Sequence, residues 1–459
     1  MNDDKLVQIS SKIAATEQDL PGVFIKTYGC QMNVYDTEKI LKVLENRYRS
    51  VDQLQDAELV ILNTCSVREK PEQKLYSILG ELKDYRVTKP ELMIGVGGCV
   101  AQQEGEKILS KGRAVDFVFG THNLSLIPTL IDRVQDGYGP QVAVDYRDEW
   151  EDLPVGFSGE GRVSVFVSVS RGCNKNCSYC IVPTTRGQEV SRSLEEIERE
   201  IKISVHRGAK EIVLLGQTVN SYGLDLSPRL RFVDLLEKVS AVDGVERIRF
   251  FSPHPQEVKK DFFDLVARNP KVCRHIHMPL QSGSDNILKA MNRNYRRQKY
   301  LDIIAGLKQA APDISITTDM IIGFPGETDQ DFEQTMDILE QVRFEHSYSF
   351  SFSPRPGTEA AKLAGQVPDA VKAERLKRYQ TRQDQITTEY LQTWVGKEGE
   401  VLIDGPSTLD PQALQGRLSQ NILVNLARTD LPLEPGQLVP VRITESARFT
   451  LKGELLPIA

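Results

Sequence analysis

The chain has 459 residues, 40% hydrophobic and 26% charged, with seven cysteines and a formal net charge of −7. That length predicts about two to four domains, and an odd cysteine count in so large a chain excludes a secreted disulfide framework. No apolar run approaches the roughly 18 residues needed to span a bilayer, and the net acidity leaves any nucleic-acid contact to local basic patches. Residues 1–21 are polar, without the basic start and apolar core of a signal peptide, and are expected to be a disordered tail on a cytoplasmic protein.

Residues 22–138 alternate short apolar runs with amphipathic stretches. GVFIKTYGC, AELVILNTC, ELMIGVGGC and VDFVFG read as strands, with helices at Thr37–Tyr48, Arg68–Tyr85 and Gln102–Lys111 and another after the fourth strand. Continuous apolar strands separated by helices predict a parallel sheet covered on both faces. Cys30, Cys65 and Cys99 close the first three strands at separations of 35 and 34 residues, one strand–helix unit each. In a parallel sheet they emerge at one edge, the edge where such folds bind ligands. Three thiols in phase predict a second three-thiolate site; the alternative is that each is a buried strand-end cysteine. Residues 139–160, rich in Gly, Pro and acids, read as a linker.

From 161 to 393 strand and helix alternate again, with strands expected at RVSVFVSV, KEIVLLG, ERIRFFS, RHIHMPLQ, SITTDMIIG and HSYSFSFS. Six units predict an open, partial β/α barrel, one short of closure by two. Just beyond its first strand lie Cys173, Cys177 and Cys180, spaced C-x₃-C-x₂-C. Thiolates so crowded make a soft-metal site. An iron–sulfur cube takes four thiolates, so three leave one iron open; a structural zinc knot and buried apolar cysteines are the alternatives. Pro183 is expected to delay the next helix, which Ser193 caps. Polar residues at the strand ends (Gln217, Asn220, Ser252, His254, His277, Gln281, Ser282, Asp319, Glu327) sit where barrel chemistry takes place. Cys273 has no partner motif and reads as structural. Residues 369–394 form a basic helix. Residues 394–459 are all-β, predicting a small OB-like barrel whose only aromatic after Trp394 is Phe449 and whose acids outnumber its bases.

The three-part order, with GCQMN (Gly29–Asn33), NTCSVRE (Asn63–Glu69), VGGCVAQ, the cysteine loop, PTTRG, SPHP, PLQSGSD, GFPGET and SPRPGT, resembles the methylthiotransferase family of radical S-adenosylmethionine (SAM) enzymes. The resemblance covers nearly the whole chain from Val23. It implies an N-terminal auxiliary-cluster domain, a radical-SAM barrel and a C-terminal TRAM module. It further implies a radical-generating 4Fe-4S cluster on Cys173, Cys177 and Cys180, with Tyr179 matching the aromatic before the last ligand. A second 4Fe-4S cluster would sit on Cys30, Cys65 and Cys99, and SAM would contact Tyr179, Gln217, Asn220, Ser252, His277, Gln281 and Asp319. GCQMN is similar to the branch that methylthiolates tRNA carrying an isopentenylated adenosine at position 37. Implied partners are the tRNA anticodon stem-loop, met through Arg293, Arg296 and Arg297 with Lys299, an electron donor and a sulfur source; the protein is expected to be a monomer without membrane association. Alternatives are the same chemistry on threonylcarbamoyl-adenosine tRNA or a ribosomal protein, or a non-catalytic metal-stabilised RNA binder. Thr184 and GRLSQN depart from the family's usual residues.

Overall fold

The computed structural model describes residues 20–66, 71–112, 114–147, 150–151, 153, 161–408, 410–429 and 431–457. The expected tail at 1–19, Val67–Glu69 of NTCSVRE and most of 148–160 lie outside them. Two compact units are formed. One takes the chain up to Glu160 together with Phe166–Asn174 and Ile181–Arg207; the other takes Gly161–Val165, Lys175–Cys180 and Gly208–Ala459.

In the first unit, strands β1 (Gly22–Thr27), β2 (Arg49–Ser50), β3 (Leu59–Thr64), β4 (Met93–Gly98), β5 (Phe117–Phe119) and β6 (Gln141–Ala143) form one parallel sheet, ordered β2-β1-β3-β4-β5-β6. Helices α1 (Gln31–Leu44), α2 (Pro71–Arg86), α3 (Cys99–Glu104), α4 (Glu106–Lys111) and α5 (Ile127–Gln135) connect them. Alternation along β3 explains the two-faced core. Val60 and Leu62 pack with Leu75, Leu79 and Val100 on one face, while Leu59 and Ile61 pack with Ile40, Leu44 and Ile131 on the other. The helix expected over Gln102–Lys111 starts earlier, at Cys99, and breaks in two at Gly105. Within the expected linker, Gln141–Ala143 pairs with β5 as an edge strand too short to show alternation.

Later segments of this unit include the short antiparallel pair β8 (Ser170–Arg171) and β9 (Val190–Ser191), which follow β7 (Ser164–Ser168), and helices α6 (Val182–Arg186) and α7 (Leu194–His206). Pro183 does not delay a helix: it sits in the first turn of α6, where a missing N–H costs nothing. Ser193 caps α7 as expected, reciprocally with Glu196.

The partial barrel is formed as two sheets ordered β11-β10-β7 and β12-β13-β14, with β10–β11, β12–β13 and β13–β14 paired in parallel. Its strands are β10 (Glu211–Leu215), β11 (Arg247–Phe250), β12 (His275–His277), β13 (Ser315–Ile322) and β14 (His346–Ser351). The amides of Lys210 and Glu211 bond to Val163 O, and Ile248 bridges to Val272 between the two sheets. Helices α8 (Phe232–Ser240), α9 (Lys260–Arg268), α10 (Asp285–Ala290), α11 (Arg297–Ala310) and α12 (Asp329–Val342) separate the strands, and α13 (Asp369–Gln392) follows β14. Thr328 and Asp331 cap α12 reciprocally.

Strands β15 (Glu398–Pro406), β16 (Leu414–Leu418), β17 (Leu423–Leu426), β18 (Leu438–Ser446) and β19 (Leu451–Leu455) close the small terminal barrel in the order β15-β16-β17-β19-β18. Its core of Val401, Ile403, Val424, Val441 and Ile443 is at most 1% exposed, each side chain contributing about 1.5–3 kcal/mol on burial. Arg247 and Arg249, two apart on β11 and so on one face, reach it. Arg247 donates to Arg417 O (2.6 Å) and Glu400 O (2.8 Å), and Arg249 donates to Ser419 O (3.3 Å).

Candidate active site

Cys65 and Cys99 follow β3 and β4 directly, Cys30 follows β1 after Tyr28 and Gly29, and the three converge at one edge of the sheet. Cys30 precedes α1 and Cys99 opens α3. The strand ends approach so closely that a side chain does not fit before two of the three. Gly29 has φ +115°, and a Cβ there would lie 2.3 Å from Cys65 Cβ. Gly98 has φ +89°, and its Cβ would lie 2.3 Å from Thr64 O. Two asparagines lash the ends together. Asn33 Nδ2 donates to Tyr28 O (2.8 Å) and Thr64 O (2.9 Å); Asn63 Nδ2 donates to Asn33 O (2.8 Å) and Thr37 Oγ1 (2.9 Å). Thr64 Oγ1 donates to Gly97 O at 2.6 Å.

A guanidinium completes this pocket from far along the chain. Arg186, the last residue of α6, donates to Asn33 Oδ1 (3.0 Å) and Asp36 Oδ2 (2.6 Å). Helix α6 packs on α3 and is tied by Thr121 Oγ1 donating to Thr185 O at 2.6 Å. A hydrogen bond with Cys65 outweighs burial at Cys30, and Arg186 adds to it, bringing that thiol down to about 6. Burial pushes Cys99 up, against the pull of Arg186. Asp36 is likewise raised by burial, with Arg186 opposing. Behind the thiols, a pocket lined by Met32, Asp36, Arg171, Arg186, Arg192 and Trp150 opens in the same unit. Trp150 lies between Arg171 and Arg192, each guanidinium 5.4 Å from its ring.

Cys173 is held in the first unit by its amide donating to Gly187 O at 3.1 Å. In the second unit, Cys177–Cys180 forms a tight turn (Cys180 N to Cys177 O, 3.0 Å) docked on the segment after α10. Ser178 bonds to Met291 O and Ala290 O, and Asn292 Nδ2 donates to Asn176 O. Arg293 braces it: Nη1 donates to Tyr179 Oη (3.1 Å) and approaches Cys177 Sγ (3.9 Å), Nε donates to Tyr295 Oη, and Nη2 to Pro279 O. Arg293 is therefore not a phosphate contact; it is buried and its donors are committed to the loop. Arg297 pairs with Asp337 and donates to Gln334 O, also inside the fold's own network, while Arg296 and Lys299 are exposed.

Among the described residues, no three His, Cys, Asp or Glu side chains enclose a single metal ion. Ligands of one tetrahedral zinc all lie about 2.3 Å from it, whereas a cube spreads its thiolates over separate irons. Three convergent thiols, one lowered by its neighbours beside the Arg186 guanidinium, are a donor set of the soft kind that iron–sulfur centres and zinc both use.

The polar strand-end residues divide. Gln217 Oε1 and His254 Nε2 are buried without a hydrogen-bond partner, as expected of groups that face a polar ligand. His277 bonds Thr317 through Nδ1 (3.0 Å) and meets Asp319 through Nε2 (3.3 Å). Ser252 and Gln281 hold positive φ, 59° and 79°, and Gln281 bridges to β13. Asn220 exchanges two hydrogen bonds with the backbone of His254, so it braces the loop. Glu327 accepts from Gly323 N and Arg375 and is pushed up to about 7 by burial. Cys273 is buried against Glu211, as a structural cysteine should be.

The Radical SAM superfamily matches residues 167–339, the TRAM domain residues 392–456, and the Uncharacterized protein family UPF0004 residues 22–120. The tRNA-2-methylthio-N(6)-dimethylallyladenosine synthase of Moorella thermoacetica is 44% identical, covering 94% of this chain and 98% of its own. That of Geobacter metallireducens is 46% identical over 94% and 98%. The chain belongs to this synthase family. Among solved structures, the radical SAM methyltransferase TsrM of Kitasatospora setae shares the fold at 15% identity, TM-score 0.54, over 74% of this chain and 75% of its own. The N-terminal parallel sheet, the partial barrel and the closed terminal barrel are the fold class expected from the sequence. The residues that reasoning from sequence passed over are Asn33, Asn63, Asp36 and Arg186. All four lie in or beside the motifs quoted for the resemblance, yet nothing local marks them as partners.

Proposed function

We propose that this protein is a SAM-dependent transferase that methylthiolates tRNA, converting N6-isopentenyladenosine at position 37 to its 2-methylthio derivative by activating the C–H bond at carbon 2 of adenine. The observation that carries this is the convergence of Cys30, Cys65 and Cys99 on one sheet edge in a chain that also holds a separate C-x₃-C-x₂-C loop. One thiolate triad answers the need for a radical generator, and the other answers the need for a place to keep sulfur.

SAM and iron–sulfur chemistry belong to the family. We assign one 4Fe-4S cluster to Cys173, Cys177 and Cys180 and a second to Cys30, Cys65 and Cys99. When bound, these groups and SAM supply hydrogen abstraction and the sulfur and methyl to be transferred. The chain's own work is to hold and shield. Arg293 fixes Tyr179 and the Cys177 end of the loop. Arg186 sets a positive charge beside the auxiliary thiols, and the burial of Cys65 and Cys99 keeps water from them. Gln217, His277, Gln281, Asp319, Ser252 and Tyr179 are assigned to SAM, with Asn220 holding the loop that carries His254. The substrate adenine must leave its stack to reach the strand ends. No helix among the described residues is long and apolar enough to cross a membrane. We place the enzyme in the cytoplasm as a monomer, served by an electron donor and a sulfur source.

Anaerobic reconstitution tests the assignment. About eight irons per chain and deoxyadenosine from SAM plus reductant are expected, and about four irons without deoxyadenosine would refute it. In a deletion strain, tRNA should lose 2-methylthio-N6-isopentenyladenosine and accumulate the unthiolated nucleoside. Retention of the methylthio form refutes the substrate.

A further inference from the structure

Two strands of the β/α barrel carry a file of polar side chains of which only the outer end, His277 and Asp319, has a role so far. His275 and His277 are two apart on β12, and Thr317 and Asp319 are two apart on β13, so each pair shares one strand face. The strands run parallel, with His277 opposite Thr317. One hydroxyl serves both imidazoles: Thr317 Oγ1 lies 3.0 Å from His275 Nε2 and 3.0 Å from His277 Nδ1. His277 Nε2 in turn faces Asp319 Oδ2 at 3.3 Å. Phe251 packs against both imidazoles, with ring centroids 6.2 and 6.4 Å away. The inner three polar residues are buried, while the Asp319 side chain is 32% exposed. All belong to one compact unit.

Donor and acceptor counting gives the file a direction. Burial, with the Arg249 guanidinium close by, moves the His275 imidazole well below its usual range, so that ring is neutral. Its Nδ1 is buried without a hydrogen-bond partner among the described residues. The single ring proton therefore belongs on Nε2, where Thr317 accepts it; on Nδ1 it would be a donor buried with nothing to meet. A threonine hydroxyl has one proton of its own to give. Only the two imidazoles reach Thr317 Oγ1 among the described residues, so that proton goes to His277 Nδ1. His277 is left with its proton on Nε2, directed at the Asp319 carboxylate. The opposite tautomer would set a ring lone pair against a carboxylate oxygen. Arg249 is itself fixed, donating to Glu211 at 2.9 Å and to Ser419 O at 3.3 Å.

We propose that His275 and Thr317 are positioning residues, holding His277 in the tautomer that donates to Asp319 and so fixing the Asp319 carboxylate as an acceptor for the N–H or O–H donors of SAM. The ligand is the one to which His277 and Asp319 are assigned above, so the proposal rests on that reading. Neither His275 nor Thr317 touches SAM; each acts through the next member of the file.

The first measurement uses the metal-free full-length protein with isotope-labelled histidine, whose long-range proton–nitrogen spectra read the tautomer of each ring. The chain has six histidines, and His277→Gln assigns the one of interest. His277 should carry its proton on Nε2 alone. His254, whose Nδ1 accepts from Gln256 N at 3.2 Å, reports that the fold is kept. Thr317→Val preserves the side chain's shape and removes the hydroxyl, so His277 should become a mixture of tautomers; His275→Leu should do the same, and Thr317→Ser should restore the single form. The second measurement is SAM affinity of the reconstituted enzyme. Thr317→Val should weaken it by about tenfold, with Thr317→Ser like the parent and anticodon stem-loop affinity unchanged. A parent His277 protonated on Nδ1, or on both nitrogens, overturns the proposal. So do equal SAM affinities in the parent and Thr317→Val, or equal losses in the valine and serine variants. A loss for the stem-loop in place of SAM overturns SAM as the ligand. A parent enzyme that binds no SAM overturns the SAM reading, and the positioning role with it.

Discussion

Replacing Arg186 by Met separates two roles that the pocket gives to one guanidinium. Its partner Asp36 is buried, the two side chains being only 6% and 10% exposed, and the pair closes at 2.6 Å. Removing one member of a buried pair costs about 3–5 kcal/mol, because the remaining charge has no compensation. Asn33 Oδ1 also loses a donor at 3.0 Å, which adds about 1–3 kcal/mol if no other donor replaces it. Asp36 already has a raised carboxyl, so part of the penalty is relieved by taking up a proton. A net loss of about 3–4 kcal/mol is expected at neutral pH. The chain has two tryptophans, Trp150 in the first unit and Trp394 in the second. In a Trp394→Phe background, urea unfolding of the metal-free protein followed by fluorescence therefore reports on the first unit. The double variant Arg186→Met with Asp36→Leu should regain most of the loss, a coupling of about 2–3 kcal/mol. Its auxiliary cluster should still load poorly, seen as iron per chain. A single variant within about 1 kcal/mol of its parent would refute the electrostatic account, since that is what an exposed pair contributes.

Alanine at Cys30, Cys65 or Cys99 should leave about four irons per chain and intact reductive cleavage of SAM but abolish methylthiolation, whereas alanine at Cys173, Cys177 or Cys180 should abolish deoxyadenosine formation; the reverse pattern would exchange the two assignments. Gly29→Ala should impair folding of the first unit and loading of its cluster, because the added Cβ would lie 2.3 Å from Cys65 Cβ; normal iron content and melting temperature would refute that packing. Glu345 is raised by burial from 4.5 to about 7, so the folded state holds this proton more tightly than the unfolded chain does. Its contribution to stability is full below about pH 4.5 and is lost as pH rises through about 7, on the order of 3 kcal/mol in all. Glu345→Gln should flatten that part of the profile and be more stable than the parent at pH 8; parallel urea midpoints at pH 5 and pH 8 would refute it.

What local pattern reports, the sequence showed well. Apolar runs ending in cysteine one strand–helix unit apart located the sheet edge, and the cap at Ser193 marked a helix start, because both depend on neighbours in the chain. Pairings that depend on tertiary proximity were silent. Arg186 and Asp36 are 150 residues apart, and Lys39 and Glu200 are 161 apart. Arg293 lay in a basic run expected to meet tRNA, and its charge gave no hint that burial would turn it inward onto Tyr179. Strand β6 escaped notice because a three-residue edge strand has no period to detect.

The interleaving of the first unit bears on how such enzymes are divided and recombined. Lys39 on α1 bonds Glu200 on α7 at 2.6 Å, with side chains 5% and 3% exposed, and Arg192 reaches the same carboxylate. A fragment ending at residue 138 or 160, the borders expected from the sequence, would keep Lys39 and Asp36 but strip both of their buried counter-charges. The inheritable module and the folding module therefore have different borders. A graft of the N-terminal sheet onto another radical-SAM barrel has to carry Ile181–Arg207 with it, or the recipient must already offer a glutamate and an arginine at matching places.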